Sequence, residues 1–571
     1  MASLDETATE TQLAGQNSDA DQNNEDGASQ PKQKYSWRFW AIIISLAVSS
    51  LLSALDVSVI STAMPSIIND LGSSGAYAWI ANAYFLTMTA FQPLYGQTAN
   101  IFGRRWLTLE AVFLFALGSA VSGSAPNLGA LVAGRAIKGV GGGGINILIE
   151  IIVADLVPLR ERPKFISLIF TAYTVAVVLG PVIGGLFAQR VTWRWIFYLN
   201  LPIAAVAFLM LALVLRVRYV KDTKRNSLKR VDFSGNLLLI AAVVSVLLAL
   251  TWGGVDYPWS SWRIILPLVL GILGIAAFGF LESTSFIPEP TLPPRILSNR
   301  TSVGGFILTF LHSMLMYWVA YFLPLYFQAV KGADAITSGV NILPYAAVTL
   351  PFTMVAGFGT SKWGRYRPWF FMGFGSFAIA FGLFTRLDRE TTTAYWAGVQ
   401  CIGAIGAGII TTTTLPCIQA PLAEADQAVA TAAWGFVRSF GGIWGVAIPA
   451  AIFNSKVNEL VMTRLEGNEY MQGLLSNGGA YSLAAGGAIH SLTEADPALA
   501  ATVESIYVDS LSLSWYVAMG FALLGFILSI VVKEVALRED LVTEFGMKEH
   551  PKSGVEAGGS AVEAIPVSST R

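Results

Sequence analysis

Apolar stretches of about 20 residues, enough to cross the hydrocarbon core of a bilayer, recur from Phe39 almost to Val532 of this 571-residue chain. Inside lipid each must satisfy its own backbone hydrogen bonds, so stretches of that length read as helices. Windows and turn residues place fourteen spans near 39–63, 76–97, 106–124, 129–154, 164–189, 195–215, 233–252, 264–283, 303–329, 338–359, 368–386, 394–417, 427–453 and 512–533. The composition agrees. It is 54% hydrophobic and 13% charged, with a mean hydropathy of +0.58, far more apolar than soluble chains. The fold class is all-α membrane protein.

Charge placement sets an expected orientation. Arg104 and Arg105, then Arg160, Arg162 and Lys164, then the run 216–230, then Lys362, Arg365 and Arg367 fall on one side under alternate crossing. By the positive-inside rule that side is the cytosol. Both tails are then cytosolic and the loop 454–511 is external. Residues 1–38 are polar and acidic, without the apolar core of a signal peptide, and read as a disordered tail. Cys401 and Cys417 share one span at about 24 Å, too far apart to bridge. Asn299 opens an N-x-[ST] triplet, but on the cytosolic side, where glycosylation is not expected.

The chain repeats itself. "GQTANIFGRRW" (96–106) returns loosely as "GFGTSKWGRYRPW" (357–369), and the pairs Gly96/Gly357 and Gly103/Gly364 are each offset by 261. "AGRAIKGVGGGGI" (133–145) matches "AGVQCIGAIGAGI" (397–409) at an offset of 264, and Gly184 finds Gly445 at 261. That offset is eight spans rather than six, so two extra helices separate two six-helix bundles. The expected domains are the tail 1–38, an N-terminal bundle 39–217, a loop with two extra helices and a connector 218–302, a C-terminal bundle 303–533, and a cytosolic tail 534–571.

Several motifs then resemble one family. "GQTANIFGRRW" is similar to the loop between spans two and three of the major facilitator superfamily, and "LDVSVISTAMP" (55–65) to the first-span signature of its drug:proton antiporters with fourteen spans. "GRAIKGVGGGG" resembles the fourth-span motif, "LGPVIGG" the fifth-span antiporter motif, and "WRWIFYLNLP" and "YFLPLYFQAVKG" resemble signatures of the fungal branch. The resemblance implies two parallel bundles with a site between them near the midplane. It departs from the pattern at Asn100, where the family usually has Asp, and at Lys138, where it usually has Gln.

Three groups of candidate residues follow. A carboxylate at Asp56 is costly inside a span, and by helix rise it lies at about the depth of Arg135, with Lys138 one turn further on. Such a group stays ionised beside its cations and takes a proton when they leave, so Asp56, Arg135 and Lys138 are expected to couple protons; structural pairing is the alternative. In the fifth span Gly180 and Gly184 stack at i, i+4 beside Pro181 and Gly185. The resemblance makes this kinked, side-chain-free face a gating hinge, the alternative being plain small-residue packing. At the basic end Gly96, Asn100, Gly103, Arg104, Arg105, Asp155 and Arg162 form the expected conformational loop, with Glu150 as a further member of an inner charge cluster.

In the second half His312, Tyr326, Gln328 and Arg438 are polar residues in apolar spans and are expected to line a substrate cavity. Trp318, Trp434 and Trp444 are candidates for stacking a planar ligand, or for packing. "GVGGGG" satisfies a dinucleotide pattern but follows no strand, so close packing is expected. No Walker A sequence, metal-ligand cluster or catalytic constellation is visible, and His312, His490 and His550 are scattered. No cofactor is expected beyond a proton gradient.

The expected function is proton-coupled efflux of hydrophobic or amphipathic small molecules (drugs, antifungals or a secondary-metabolite toxin) through the plasma membrane. The expected partners are substrate and lipid, without nucleic acid. Vacuolar basic amino-acid transport and siderophore transport are the alternatives. A non-transporting sensor or an integral-membrane enzyme is more distant.

Overall fold

The computed structural model describes residues 35–71, 77–216, 230–254, 257–284, 287, 289–476, 478–485 and 496–540. Two units are distinguished, 1–40 and 41–571. Of the first, residues 35–40 are described, with helix from Trp37. The fold lies in the second.

Among the described residues fourteen long helical segments follow in order: α1 (Trp37–Leu71), α2 (Tyr77–Phe102), α3 (Arg104–Gly123), α4 (Leu128–Leu156), α5 (Arg162–Arg190), α6 (Trp195–Val214), α7 (Phe233–Trp252), α8 (Trp262–Glu282), α9 (Arg300–Ala329), α10 (Ile336–Trp363), α11 (Arg367–Phe384), α12 (Thr393–Gln419), α13 (Gln427–Arg464) and α14 (Pro497–Val531). Twelve are long and apolar enough to cross a membrane by length and composition. The other two, α2 and α5, have 26 and 29 residues, so the set fits the expected fourteen. Among the described residues the β pairing is a single bridge, Gly253 to Tyr257.

Local chemistry explains where these helices begin. Asn127, Asp232, Asn299, Thr392 and Asp496 each cap a helix by accepting a backbone N–H with the side chain. Asn299 is therefore committed to Ser302 N at 2.7 Å. Gly103 and Gly364, the repeated pair, hold φ of 83° and 67° at the turns α2–α3 and α10–α11. Only glycine adopts that conformation without strain, which is why the motif recurs there.

The repeat is also visible in packing. α4 packs on α2 and α3, and α12 packs on α10 and α11, the same arrangement eight helices later. The glycine run of α4 makes it possible. A Cβ on Gly141 would fall 2.4 Å from Phe115 N, one on Gly143 2.5 Å from Met88 O, and one on Gly139 2.4 Å from Tyr84 O. In α12, Gly406 meets Gly373 O and Gly408 meets Thr349 O equally closely. Close packing is thus what "GVGGGG" does. Gly141→Val forces backbone apart and is expected to cost about 1–3 kcal/mol or more, read as a lower thermal midpoint of the purified protein. Gly185→Ala, where an added Cβ meets nothing within 4 Å, serves as control.

The halves meet along α5 with α10 and α2 with α13, while α7 and α8 form a hairpin beside α2 and α13. Two expectations need correcting. The region 454–511 is not simply a loop, because α13 continues to Arg464, two short helices follow at Glu469–Leu475 and Gly479–Ala485, and α14 begins at Pro497. These extensions are amphipathic: Phe453, Val457, Leu460 and Val461 are buried at helical spacing while Lys456 pairs with Glu459, so a hydropathy window ends too early. Nor are residues 534–540 a free tail. Tyr366 N donates to Glu534 Oε1 at 2.9 Å, Arg538 Nη2 to Leu422 O at 2.7 Å, and Arg160 N to Arg538 O at 3.1 Å. The expected tail 1–38 falls outside the described residues except for 35–38, and 541–571 lies wholly outside them.

Candidate functional site

Asp56 is 4% exposed, and Arg135 and Lys138 are wholly buried. Arg135 Nη1 donates to Asp56 Oδ2 at 2.7 Å, and Lys138 Nζ donates to Oδ1. The expected trio therefore meets. Helix geometry brings it together, since Arg135 and Lys138 are one turn apart on α4 and both face α1. With all three groups ionised the cluster carries one negative and two positive charges, an excess of one positive charge that neighbouring groups help to hold. Arg135 Nε donates to Ile80 O at 2.9 Å, and its guanidinium lies 4.8 Å from the Tyr84 ring. Lys138 Nζ lies 4.7 Å from the Phe115 ring and 5.2 Å from that of Phe197. A fourth polar group, Asn200 of α6, donates to Asp56 Oδ1 at 3.4 Å. The sequence reading missed it, although an Asn in an apolar span is a signal of the same kind as Asp56.

The basic end holds the conformational-loop residues, and they divide by partner. Arg104 Nε pairs with Asp155 Oδ2 at 2.8 Å, its Nη1 reaches Ala99 O, and Arg105 Nη2 donates to Ala212 O at 2.6 Å. All of these stay within the N-terminal bundle. Arg162 crosses. It donates to Ala154 O at 2.8 Å and Val157 O at 3.2 Å on its own side, and to Gln419 Oε1 at 3.0 Å, Glu424 Oε1 at 3.1 Å and Gln427 Oε1 on the other. Gly96 also faces across, since a Cβ there would lie 2.1 Å from Ala432 Cβ. Asn100 is half-buried, and its side chain makes no hydrogen bond among the described residues. Arg104 takes its carboxylate from Asp155, so the missing Asp at position 100 leaves that arginine paired.

At Gly180 the glycine face of α5 meets a helix of its own bundle. A Cβ on Gly180 would meet Ser58 Oγ at 1.9 Å and Ser58 Cβ at 2.5 Å, so Gly180 admits α1 of its own bundle. Ser58 Oγ in turn donates to Ala176 O at 3.2 Å. Gly184 is buried and Gly185 has open space beside it. Pro181 belongs to the same helix, with its side chain outside the described residues. Where α5 does meet α10, the small residue is on the partner: Gly357 approaches Pro163 O and Ser167.

The four cavity candidates separate. His312 is buried, its Nε2 3.0 Å from Ala407 O, and it ties α9 to α12 rather than lining a cavity. Tyr326 is buried too, its hydroxyl donating to Asp388 O at 2.9 Å beyond the end of α11. Gln328 is half-buried, with no side-chain hydrogen bond among the described residues. Arg438 alone lies between the bundles, its guanidinium 4.4 Å from the Trp434 ring and 5.5 Å from the Phe170 ring of α5. Glu150 belongs with it rather than with the inner cluster. It is 3% exposed, its Oε2 has no hydrogen-bond partner, and it interacts electrostatically with Arg438. Trp318 and Trp434 are packed inside and donate to Ser514 Oγ and Thr414 Oγ1, while Trp444 packs edge-on to Phe440.

A membrane-spanning pair of repeated bundles with buried charges between helices defines a solute carrier of the alternating-access type. The model of the Major Facilitator Superfamily matches residues 46–446, and the chain belongs to that family. "Efflux pump FUS6" of Gibberella moniliformis is 47% identical over 517 residues, covering 90% of this chain and 91% of that protein. "MFS-type efflux pump LUC4" of Fusarium sp is 44% identical over 553 residues, covering 96% and 98%. The "Acurin A biosynthesis cluster MFS-type transporter" of Aspergillus aculeatus is 46% identical over 513 residues, covering 90% and 92%. Among solved structures, the proton:xylose symporter XylE bound to 6-bromo-6-deoxy-D-glucose matches with a TM-score of 0.55 at 16% identity, over 88% of this chain and 98% of that one. The human organic anion transporter MFSD10 matches with 0.53 at 15%, over 87% and 100%. At those identities the structures establish the fold.

Proposed function

We propose that this chain exports small amphipathic secondary metabolites, toxin-like molecules above all, and that protons entering at Asp56 drive it. The export half rests on relatives at 44–47% identity that are named efflux pumps or biosynthesis-cluster transporters. The coupling half rests on one observation, a buried carboxylate held directly by cations of another helix. While Arg135 and Lys138 grip Asp56 the carboxylate is neutralised by charge. When the bundles tilt and that grip loosens, an isolated carboxylate inside the membrane is costly and a proton replaces the cations. Each proton moved through 100 mV supplies about 2.3 kcal/mol, without nucleotide or other cofactor. In this reading the end bearing Arg104 and Arg162 faces the cytosol, both termini are cytosolic, and the protein works in the plasma membrane rather than the vacuolar one.

The test is dye or azole export from vesicles with and without a pH gradient. Wild type is expected to lose at least about tenfold in rate when the gradient is dissipated, Asp56→Asn to lose that response, and Asp56→Glu to retain part of it. Export indifferent to both gradient and substitution eliminates the coupling. Uptake of a labelled basic amino acid or ferric chelate in place of export favours the vacuolar or siderophore alternatives.

A further inference from the structure

Arg438 is eleven residues into α13 from Gln427, about 16 Å along the helix, and it remains partly accessible at that depth. A guanidinium carries five N–H donors and no acceptor. Among the described residues the Arg438 side chain forms no hydrogen bond and no ion pair; its ring contacts are Trp434, from its own helix, and Phe170, from α5 of the opposite bundle. The groups whose charges or hydroxyls interact with it include Glu150 of α4, Tyr173 of α5 and Tyr317 of α9. A partly accessible cation without a hydrogen bond or ion pair, its guanidinium against the Phe170 ring of the opposite bundle, is complementary to an anion attached to a flat apolar body. The Phe170 ring supplies stacking, and the fork of donors matches a carboxylate in two-pronged fashion.

We propose that Arg438 anchors the head group of the transported molecule, and that the cargo is a flat unsaturated compound bearing an acidic group, its carboxylate on the guanidinium and its π system against Phe170. This rests on the export reading and narrows it to a substrate class. It also gives alternating access something to act on, because the anchor and one aromatic wall belong to different bundles. Tilting the bundles separates Phe170 from Arg438 and dismantles the site.

The test uses the full chain in lipid nanodiscs, with labelled cinnamate and its neutral isostere cinnamamide as probes. Wild type is expected to bind the acid about 30-fold more tightly than the amide, the ratio a charge-assisted pair supplies. Arg438→Gln abolishes that preference while amide binding persists, which also shows that the variant is folded. Phe170→Leu weakens both probes together. Glu150→Gln, which removes a competing negative charge, tightens the acid and leaves the amide unchanged. Equal binding of the two probes to wild type, no binding of either, or an acid preference that survives Arg438→Gln overturns the proposal. Export of a neutral dye, followed in parallel, separates the two readings: gradient-driven export without acid preference sinks the anchor alone, and absence of export from wild type sinks the function.

Discussion

Asp56→Ala lowers the stability of the purified protein by about 3–5 kcal/mol, and adding Lys138→Met to it recovers part of that loss. The reasoning is electrostatic. Arg135 and Lys138 are wholly buried, and Asp56 is the carboxylate that both touch. Deleting it strands two cations in a low-dielectric interior, where the penalty for an unpaired charge exceeds the worth of the pair itself. Removing Lys138 as well leaves one stranded charge instead of two, and Met fills most of the lysine stem's volume between the Phe115 and Phe197 rings. Lys138→Met alone leaves a one-to-one pair of Asp56 with Arg135 and is expected to be close to neutral in stability. Denaturant unfolding of all three variants, with Asn200→Ala as a further member of the set, gives the order. A double variant no more stable than Asp56→Ala shows that the lysine is not among the stranded charges.

The same cluster shows what a sequence discloses. Ionisable residues stand out against apolar helices, and helix rise fixes their depth, so Asp56, Arg135 and Lys138 are legible without coordinates. The paired positive-φ glycines Gly103 and Gly364 are legible too, because a repeat preserves the turn that needs them. What a sequence does not carry is the identity of the neighbour. The i, i+4 spacing of Gly180 and Gly184 defines a face on α5, and only packing decides that Gly180 meets Ser58 of α1. His312 and Tyr326 look like cavity residues for a similar reason. Their partners, Ala407 O and Asp388 O, are backbone carbonyls, which any residue provides and no pattern reveals. Glu150 shows the reverse error, a charge grouped by chain position with the basic end when α13 places Arg438 within its electrostatic reach.

Arg162→Met opens the basic end of the molecule. Of the cations there, Arg104 pairs with Asp155 and donates to Ala99 O, both in its own bundle. Arg162 instead spans the divide, holding Gln419, Glu424 and Gln427 of the C-terminal half while anchored to Ala154 O and Val157 O. Hydrogen bonds to a charged group contribute about 1.5–3 kcal/mol each. They exist only while the two halves are in contact at this end, so they stabilise one conformation against the other. Losing them shifts the equilibrium between conformations by at least about tenfold. Arg160, bonded to Ser361 O and Lys362 O, keeps the shift from being total. The reporter is Ala432→Cys in a background without Cys401 and Cys417, because Ala432 is 2% exposed and pressed against Gly96 across the divide. An impermeant thiol reagent applied from the basic side is expected to label it at least about tenfold faster in Arg162→Met, and no faster in Arg104→Met. Equal labelling in the two variants means that the crossing hydrogen bonds of Arg162 do not hold the halves together, and the closure then rests on Arg160 and on the close packing of Gly96 with Ala432 and of Gly357 with α5.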